Sequence, residues 1–330
     1  MNSQDLEPVL QRISPRSVAL FVGATDTGKT TLIRELHRRL GGEVIDADVG
    51  QSWLGPPTCV SRGSLTNEHT EIRASYFVGD ISPRGNFLQV LTGAAHCLRD
   101  APRPLLIDTD GYIMGEAARA YKSELIRLVQ PDVLVLLQRA GELNYYKLYA
   151  RYGITVIEIP VTHGGSKPRE ARIAAREDAF RRYFQGAALR HWRLAELGVE
   201  RTLIGHGEPL DVTLLSNLLA CSVLAAWRLP PTATLVVERW PFSVLEAQRA
   251  LGVESLSVLV WGELKDSLVG CWAGTRFEGL GTVQELSSET IGIWTPVERA
   301  SVIQWGSLKV FPDGRHLRAS LDVQAYQGRA

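Results

Sequence analysis

Short apolar runs recur through the first half of the chain, at 17–22 (SVALFV), 43–48 (EVIDAD), 71–79 (EIRASYFVG), 104–110 (PLLIDTD), 132–138 (DVLVLLQ) and 154–160 (ITVIEIP). Several are almost wholly apolar, without the alternation of a half-exposed strand. That pattern belongs to parallel strands covered on both faces. Helical stretches alternate with them, such as TLIRELHRRL (31–40), which stops at Gly41-Gly42, and GEAARAYKSELIRLVQ (115–130). The order predicts an α/β fold with a mainly parallel sheet. From about residue 232 the texture changes to strand-like runs separated by Gly, Asp or Ser turns: LVVERW, LSVLVWGEL, SLVGCWAG, GTVQEL, TIGIWTPV and SVIQWGSLKVF. The expected organisation is an N-terminal extension over 1–16, an α/β domain over 17–230 and a smaller β-rich domain over 231–330.

Composition narrows the class only a little. The chain has 330 residues, 45% hydrophobic and 22% charged, with a formal net charge of zero. Any nucleic-acid contact is therefore expected in a local groove, not on a basic coat. Four scattered cysteines without a CxxC pair argue against a zinc site or disulfide framework and for a reducing, cytoplasmic setting. The N-terminus lacks an apolar signal core, and no run approaches the roughly 18 residues of a membrane span. Five of the eight tryptophans lie in the β-rich part, at 240, 261, 272, 294 and 305. Packing is the expected role for them, with stacking on bases as the alternative.

The chemistry begins at the first strand end. Gly23-Ala24-Thr25-Asp26-Thr27-Gly28-Lys29-Thr30 fits GxxxxGK[ST], between a strand and a helix. Backbone N–H groups and the helix N-terminus would cradle phosphates. Lys29 would reach the β- and γ-phosphates, and the Thr30 hydroxyl would ligate Mg²⁺. One strand later, Asp46 and Asp48 share a face at a strand end. Asp48 could accept a proton from an attacking hydroxyl or hold Mg²⁺ through water; capping of the next turn is the alternative for both, more so for Asp46 than for Asp48. Asp108 and Asp110 repeat the arrangement, with a metal shell expected for Asp108 and local turn chemistry for Asp110. Gly111 would let the backbone approach closely. Gln138 and Arg139, after another strand end, are candidates for purine contact.

These residues together resemble the polynucleotide 5′-hydroxyl-kinase family. GATDTGKTT, which includes Thr31, carries that family's Thr-Asp before the second glycine. DADVGQSWLGPP is similar to its D-x-D-x-G-Q element, and YFVGDISPRGNF to its substrate-clasping loop. LLIDTDGYIMG resembles its NTDGW element, with Asp108 for Asn and Tyr112 for Trp. The stretch 166–186, SKPREARIAAREDAFRRYFQG, is similar to its arginine-bearing lid, expected over about 163–186, and the C-terminal strands look like its last domain. The resemblance covers roughly 17–312. The larger eukaryotic relatives carry a β-rich domain before the phosphate loop, and the loop here begins at residue 23.

The resemblance implies transfer of the γ-phosphate of ATP or GTP to the 5′-hydroxyl of RNA or DNA. It makes Asp48 the base and a metal neighbour, Gln51 a holder of metal-bound water, and Ser82 and Asn86 the grip on the acceptor. On composition alone SPRGN reads as a turn. Arg172 and Arg176, four apart, would close over the phosphates from one helical face; an ordinary solvated basic face is the alternative. His163-Gly164-Gly165 is either a hinge before that lid or a plain turn. Two other functions compete. One is a nucleotide-binding scaffold without catalysis in an RNA-processing assembly. The other is a GTPase-like switch, against which the chain shows no NKxD guanine signature.

Overall fold

The computed structural model describes residues 3–65, 70–161, 168–319 and 324–327. They form two compact units, Met1–Ala179 and Phe180–Ala330.

In the first unit, helix α1 (Ser3–Leu10) leads to β1 (Val18–Gly23), α2 (Lys29–Leu40) and β2 (Glu43–Ala47). Then come β3 (Cys59–Leu65), β4 (Thr70–Phe77), α3 (Phe87–Leu98), β5 (Leu105–Thr109) and α4 (Glu116–Val129). Strand β6 (Val133–Gln138), a 3₁₀ stretch (Asn144–Tyr152) and β7 (Thr155–Pro160) follow, and then α5 (Arg169–Tyr183), which begins in this unit and continues past its end at Ala179. The sheet order is β4-β3-β2-β5-β1-β6-β7. The pairs from β2 through β7 are parallel, as the apolar runs predict.

Strand β1 shows why its run is apolar throughout. Val18, Leu20 and Val22 enter one core with residues of α3 and α4, while Ala19 and Phe21 enter another with Leu32, Ile33 and Leu36 of α2. Both faces are covered, so no polar residue is tolerated. Leu6, Val9 and Ile13 are buried in the second of these cores. The segment expected as an N-terminal extension is thus part of the packed unit.

The run at 71–79 departs from the parallel pattern. Strand β4 pairs antiparallel with β3, and β3 antiparallel with β2, so this edge is a hairpin. The first four residues of β4 are exposed, which suits an edge strand better than a buried one.

The β-rich unit starts earlier than residue 231. Strand β8 (Ala188–Arg193) pairs antiparallel with Thr290–Thr295, so 180–230 fold with the C-terminal strands. The boundary therefore falls at 179/180 because a strand distant in sequence claims β8. One sheet of this unit has seven strands; the other has five and carries two helices, Val212–Leu219 and Leu245–Leu251. Trp305 is buried in the core between strands and Trp261 packs against it, while Trp272 is buried with its ring against Phe277 at 5.3 Å. Trp240 and Trp294 stay exposed. Packing accounts for three of the five tryptophans. Among the described residues no helix is long and apolar enough to cross a membrane.

Candidate active site

The site lies at the carboxyl ends of β1, β2 and β5, where a parallel sheet places ligands. Gly23 ends β1, and Gly28 caps α2 in the left-handed region at φ 89°. Asp26 also has a positive φ of 60°. The loop curls so that Lys29, nearly buried, donates from Nζ to the Gly23 carbonyl at 2.9 Å and the Ala24 carbonyl at 3.0 Å. Gly111, after β5, packs on this loop: a Cβ there would stand 2.5 Å from the Thr25 nitrogen and 2.9 Å from its Cα. The close approach expected of Gly111 is to the phosphate loop itself.

A cleft of about 400 Å³ opens beside the loop. It is lined by residues 25–31, Arg34, Asp48, Gln51 and Trp53. Thr30 donates its hydroxyl to Asp108 Oδ2 at 2.6 Å, and the Trp53 indole N–H donates to the same oxygen at 3.0 Å. The other oxygen of Asp108 is buried without a hydrogen-bond partner. Burial pushes the Asp108 carboxyl up from its ordinary range, against the pull of Lys29 and the Thr30 hydroxyl.

Asp46 accepts from three backbone N–H groups: Asp48 at 3.0 Å, Trp53 at 2.8 Å and Leu54 at 3.1 Å. It folds the loop after β2 back on itself. Burial first, then the Asp108 and Asp48 charges, push its pKa well up. Asp48 accepts from Gly50 and Gln51 N–H through one oxygen only, at 3.0 and 3.1 Å. Burial and the charge of Asp110 raise its pKa to about 6, against Lys29.

Asp110 turns away from the cleft. Its carboxylate accepts from Tyr112 N–H at 2.9 Å and Tyr121 O–H at 2.8 Å, and it pairs with Lys122 Nζ at 2.9 Å. Lys122 is fully buried and also donates to the Asp110 carbonyl at 3.1 Å. Burial lowers the Lys122 pKa, while Asp110 works the other way.

The remaining candidates divide. Ser82 Oγ accepts from Arg84 N–H at 3.2 Å, and Asn86 Nδ2 donates to the Ser82 carbonyl at 3.2 Å, so this loop is a self-bonded turn next to buried Asp80. Phe87 behind it stacks on Tyr121 at 4.9 Å and on Tyr112 at 6.0 Å. Arg172 NH1 stands 3.2 Å from Asp26 Oδ2, and Arg176 NH1 donates to the Gly50 carbonyl at 3.3 Å. Arg172 and Arg176 of α5 therefore face the cleft loops from one helical side. Gln138 is committed elsewhere: its amide donates to Asn144 and Glu158 and accepts from Leu143 N–H. Arg139 donates to the Asp26 carbonyl at 3.2 Å. His163-Gly164-Gly165 lie outside the described residues.

Sequence reasoning missed Trp53, Arg34 and Lys122. Arg34 stacks over the Trp53 ring at 4.6 Å. The signal for Trp53 was present, a large aromatic amid the polar loop after Asp48. Lys122 gave none, since it reads as one more polar residue of an amphipathic helix.

A phosphate loop on a parallel sheet, with two acidic strand ends beside it, defines a P-loop nucleotide-binding protein. Residues 23–186 match the family described as the P-loop of the mRNA cleavage and polyadenylation factor CLP1. A polyribonucleotide 5′-hydroxyl-kinase of Thermococcus kodakarensis is 29% identical over 323 aligned positions, covering 90% of this chain and 89% of that protein. A human tRNA dimethylallyltransferase is 27% identical over 156 positions, 41% of this chain and 32% of its own. In fold, the chain matches Clp1p as solved in complex with a segment of Pcf11p, with a TM-score of 0.58 at 14% identity over 92% of this chain and 77% of that one. Residues 23–186 thus carry the CLP1-type P-loop domain, and the chain is similar to a polyribonucleotide 5′-hydroxyl-kinase over most of its length.

Proposed function

We propose that this protein transfers the γ-phosphate of ATP to the 5′-hydroxyl end of RNA. One observation carries the reading: a phosphate loop and a carboxylate with an oxygen to spare, Asp48, line the same cleft. Phosphoryl transfer asks for in-line placement and charge neutralisation more than for covalent help. The loop amides and Lys29 hold the donor phosphates. Asp48 orients the 5′-hydroxyl and takes its proton, a task suited to a carboxylate whose pKa is raised to about 6. Arg172 and Arg176 stabilise the charge that spreads over the transferring group. Gln51 lines the cleft beside Asp48 and orients polar atoms of the donor or its hydration shell. Ser82 and Asn86 grip the terminal nucleotide through sugar and phosphate, contacts that carry no sequence information.

Magnesium fits the residues present. Asp108 keeps Oδ1 buried without a hydrogen-bond partner, while its Oδ2 accepts from the Thr30 hydroxyl. Among the described residues no three His, Cys, Asp or Glu are grouped to hold a metal on their own. Thr30 and Asp108, with Asp48 nearby, would therefore hold Mg²⁺ together with the nucleotide, and the ion would neutralise charge on its phosphates.

The test uses a 5′-hydroxyl RNA oligonucleotide and its DNA twin, with γ-labelled ATP or GTP and Mg²⁺. Wild type is run beside Lys29→Ala and Asp48→Asn. The expected result is label on the RNA end that both substitutions abolish. Nucleotide binding without transfer to either oligonucleotide would sink the kinase reading and leave a nucleotide-bound scaffold. Preference for GTP or for DNA would correct the donor or the acceptor alone.

A further inference from the structure

Asp26 is out of place by charge. It sits inside a loop whose amides gather phosphate, and a carboxylate there repels the nucleotide. The backbone does not ask for it either. A φ of 60° is open to Gly and Asn as readily as to Asp. The side chain has another employment. Its Oδ2 meets Arg172 NH1 at 3.2 Å, with only 10% of the Asp26 side chain and 26% of the Arg172 side chain exposed. The carbonyl of the same residue accepts from Arg139 NH2 at 3.2 Å. One turn along α5, Arg176 donates to the carbonyl of Gly50, whose own N–H donates to Asp48. The two arginines thus touch the two loops between which a phosphoryl group would pass: Arg172 the donor loop, Arg176 the loop that carries Asp48.

We propose that Asp26 is the positioning residue for Arg172, holding its guanidinium at the mouth of the phosphate loop, and that its side chain is not a ligand of the nucleotide. The inference rests on the kinase reading above and deepens it. A long, flexible arginine on a polar helix loses rotamer freedom when it is aimed at a transition state. A carboxylate fixed on the donor loop restricts that freedom before the phosphates arrive. It also removes its own repulsion of the nucleotide by being paired.

Asp26→Asn tests this, because asparagine keeps the shape and the left-handed backbone and removes only the charge. The expected result is a fall in kcat of roughly 10- to 100-fold, the upper end being the scale of a catalytic group displaced by about 1 Å. KM for ATP should stay level or drop, since a negative charge beside the phosphates has gone. In an Arg172→Ala background the same substitution should cost no further kcat, the signature of two residues acting as one. An unchanged kcat in Asp26→Asn, or an equal loss in both backgrounds, would overturn the proposal. A second arm needs no turnover. Without nucleotide, backbone amides of 169–179 should exchange hydrogen faster in Asp26→Asn than in wild type; equal exchange overturns the pairing. If wild type labels no RNA or DNA end, the kinase reading falls, and the exchange arm still decides whether Asp26 holds α5.

Discussion

Two D-x-D pairs end neighbouring strands of the same sheet, and they divide their labour in opposite order. After β2, the first member, Asp46, is tied up by three backbone donors, and the second, Asp48, faces the cleft. After β5, the first member, Asp108, receives Thr30 and Trp53, and the second, Asp110, is locked to Tyr121 and Lys122. Asp46 and Asp108 are register partners on parallel strands, so strand geometry alone would give them the same duty. What separates them is what the chain supplies next. The loop after Asp48 returns Trp53 and Leu54 N–H groups to Asp46. Helix α4 brings a phenol and an ammonium to Asp110. A carboxylate's role here is set by the donors that come back to it, not by its place in the motif.

The comparison can be broken at its most active member. Asp48→Asn should reduce label transfer by up to ~10⁴-fold, the ceiling of a general base. Thermal unfolding should show no loss, because the substitution relieves crowding with Asp46, Asp108 and Asp110. A variant that transfers phosphate normally would remove Asp48 from the chemistry.

Next in size is the buried pair. Lys122→Met leaves Asp110 charged and without its cation, with only the Tyr112 and Tyr121 donors remaining, and should cost about 3–5 kcal/mol of stability by denaturant titration. The double variant with Asp110→Asn should recover a good part of that. Equal stability of the single and double variants would mean that the pair is not what holds α4 to this strand end.

Asp46→Asn should cost about 1–3 kcal/mol, since an amide presents donors toward N–H groups that need acceptors. Its effect on turnover should track the loss of folded protein, which activity normalised to folded fraction would reveal.

The mildest probe is pH. A base must be deprotonated to act, so kcat/KM for the acceptor should rise through about pH 6 and level off above it. A profile flat from about pH 5 to 8 would remove Asp48 as the titrating group.

The sequence made some of this plain and left the rest hidden, for physical reasons. The phosphate loop and the apolar strands were legible because their signals are local: contiguous spacing for one, two covered sheet faces for the other. The unit boundary was not, because β8 is claimed by Thr290–Thr295 far along the chain. The hairpin of β3 and β4 was missed because a parallel and an antiparallel edge strand read alike over so few residues. At the acidic strand ends the residues were found and local turn chemistry was expected for Asp110, which in the structure accepts from Tyr112 N–H. Its ion pair with Lys122 was not, since nothing in an amphipathic helix marks which lysine faces inward.

The contact of Gly111 with Thr25 reaches into genetics. The backbone of Gly111 has an ordinary conformation, so space alone holds the position to glycine. An allele that placed even alanine there would displace the phosphate loop from a distance. Its carriers would show the defect of a nucleotide-site lesion while every residue of the loop remained wild type.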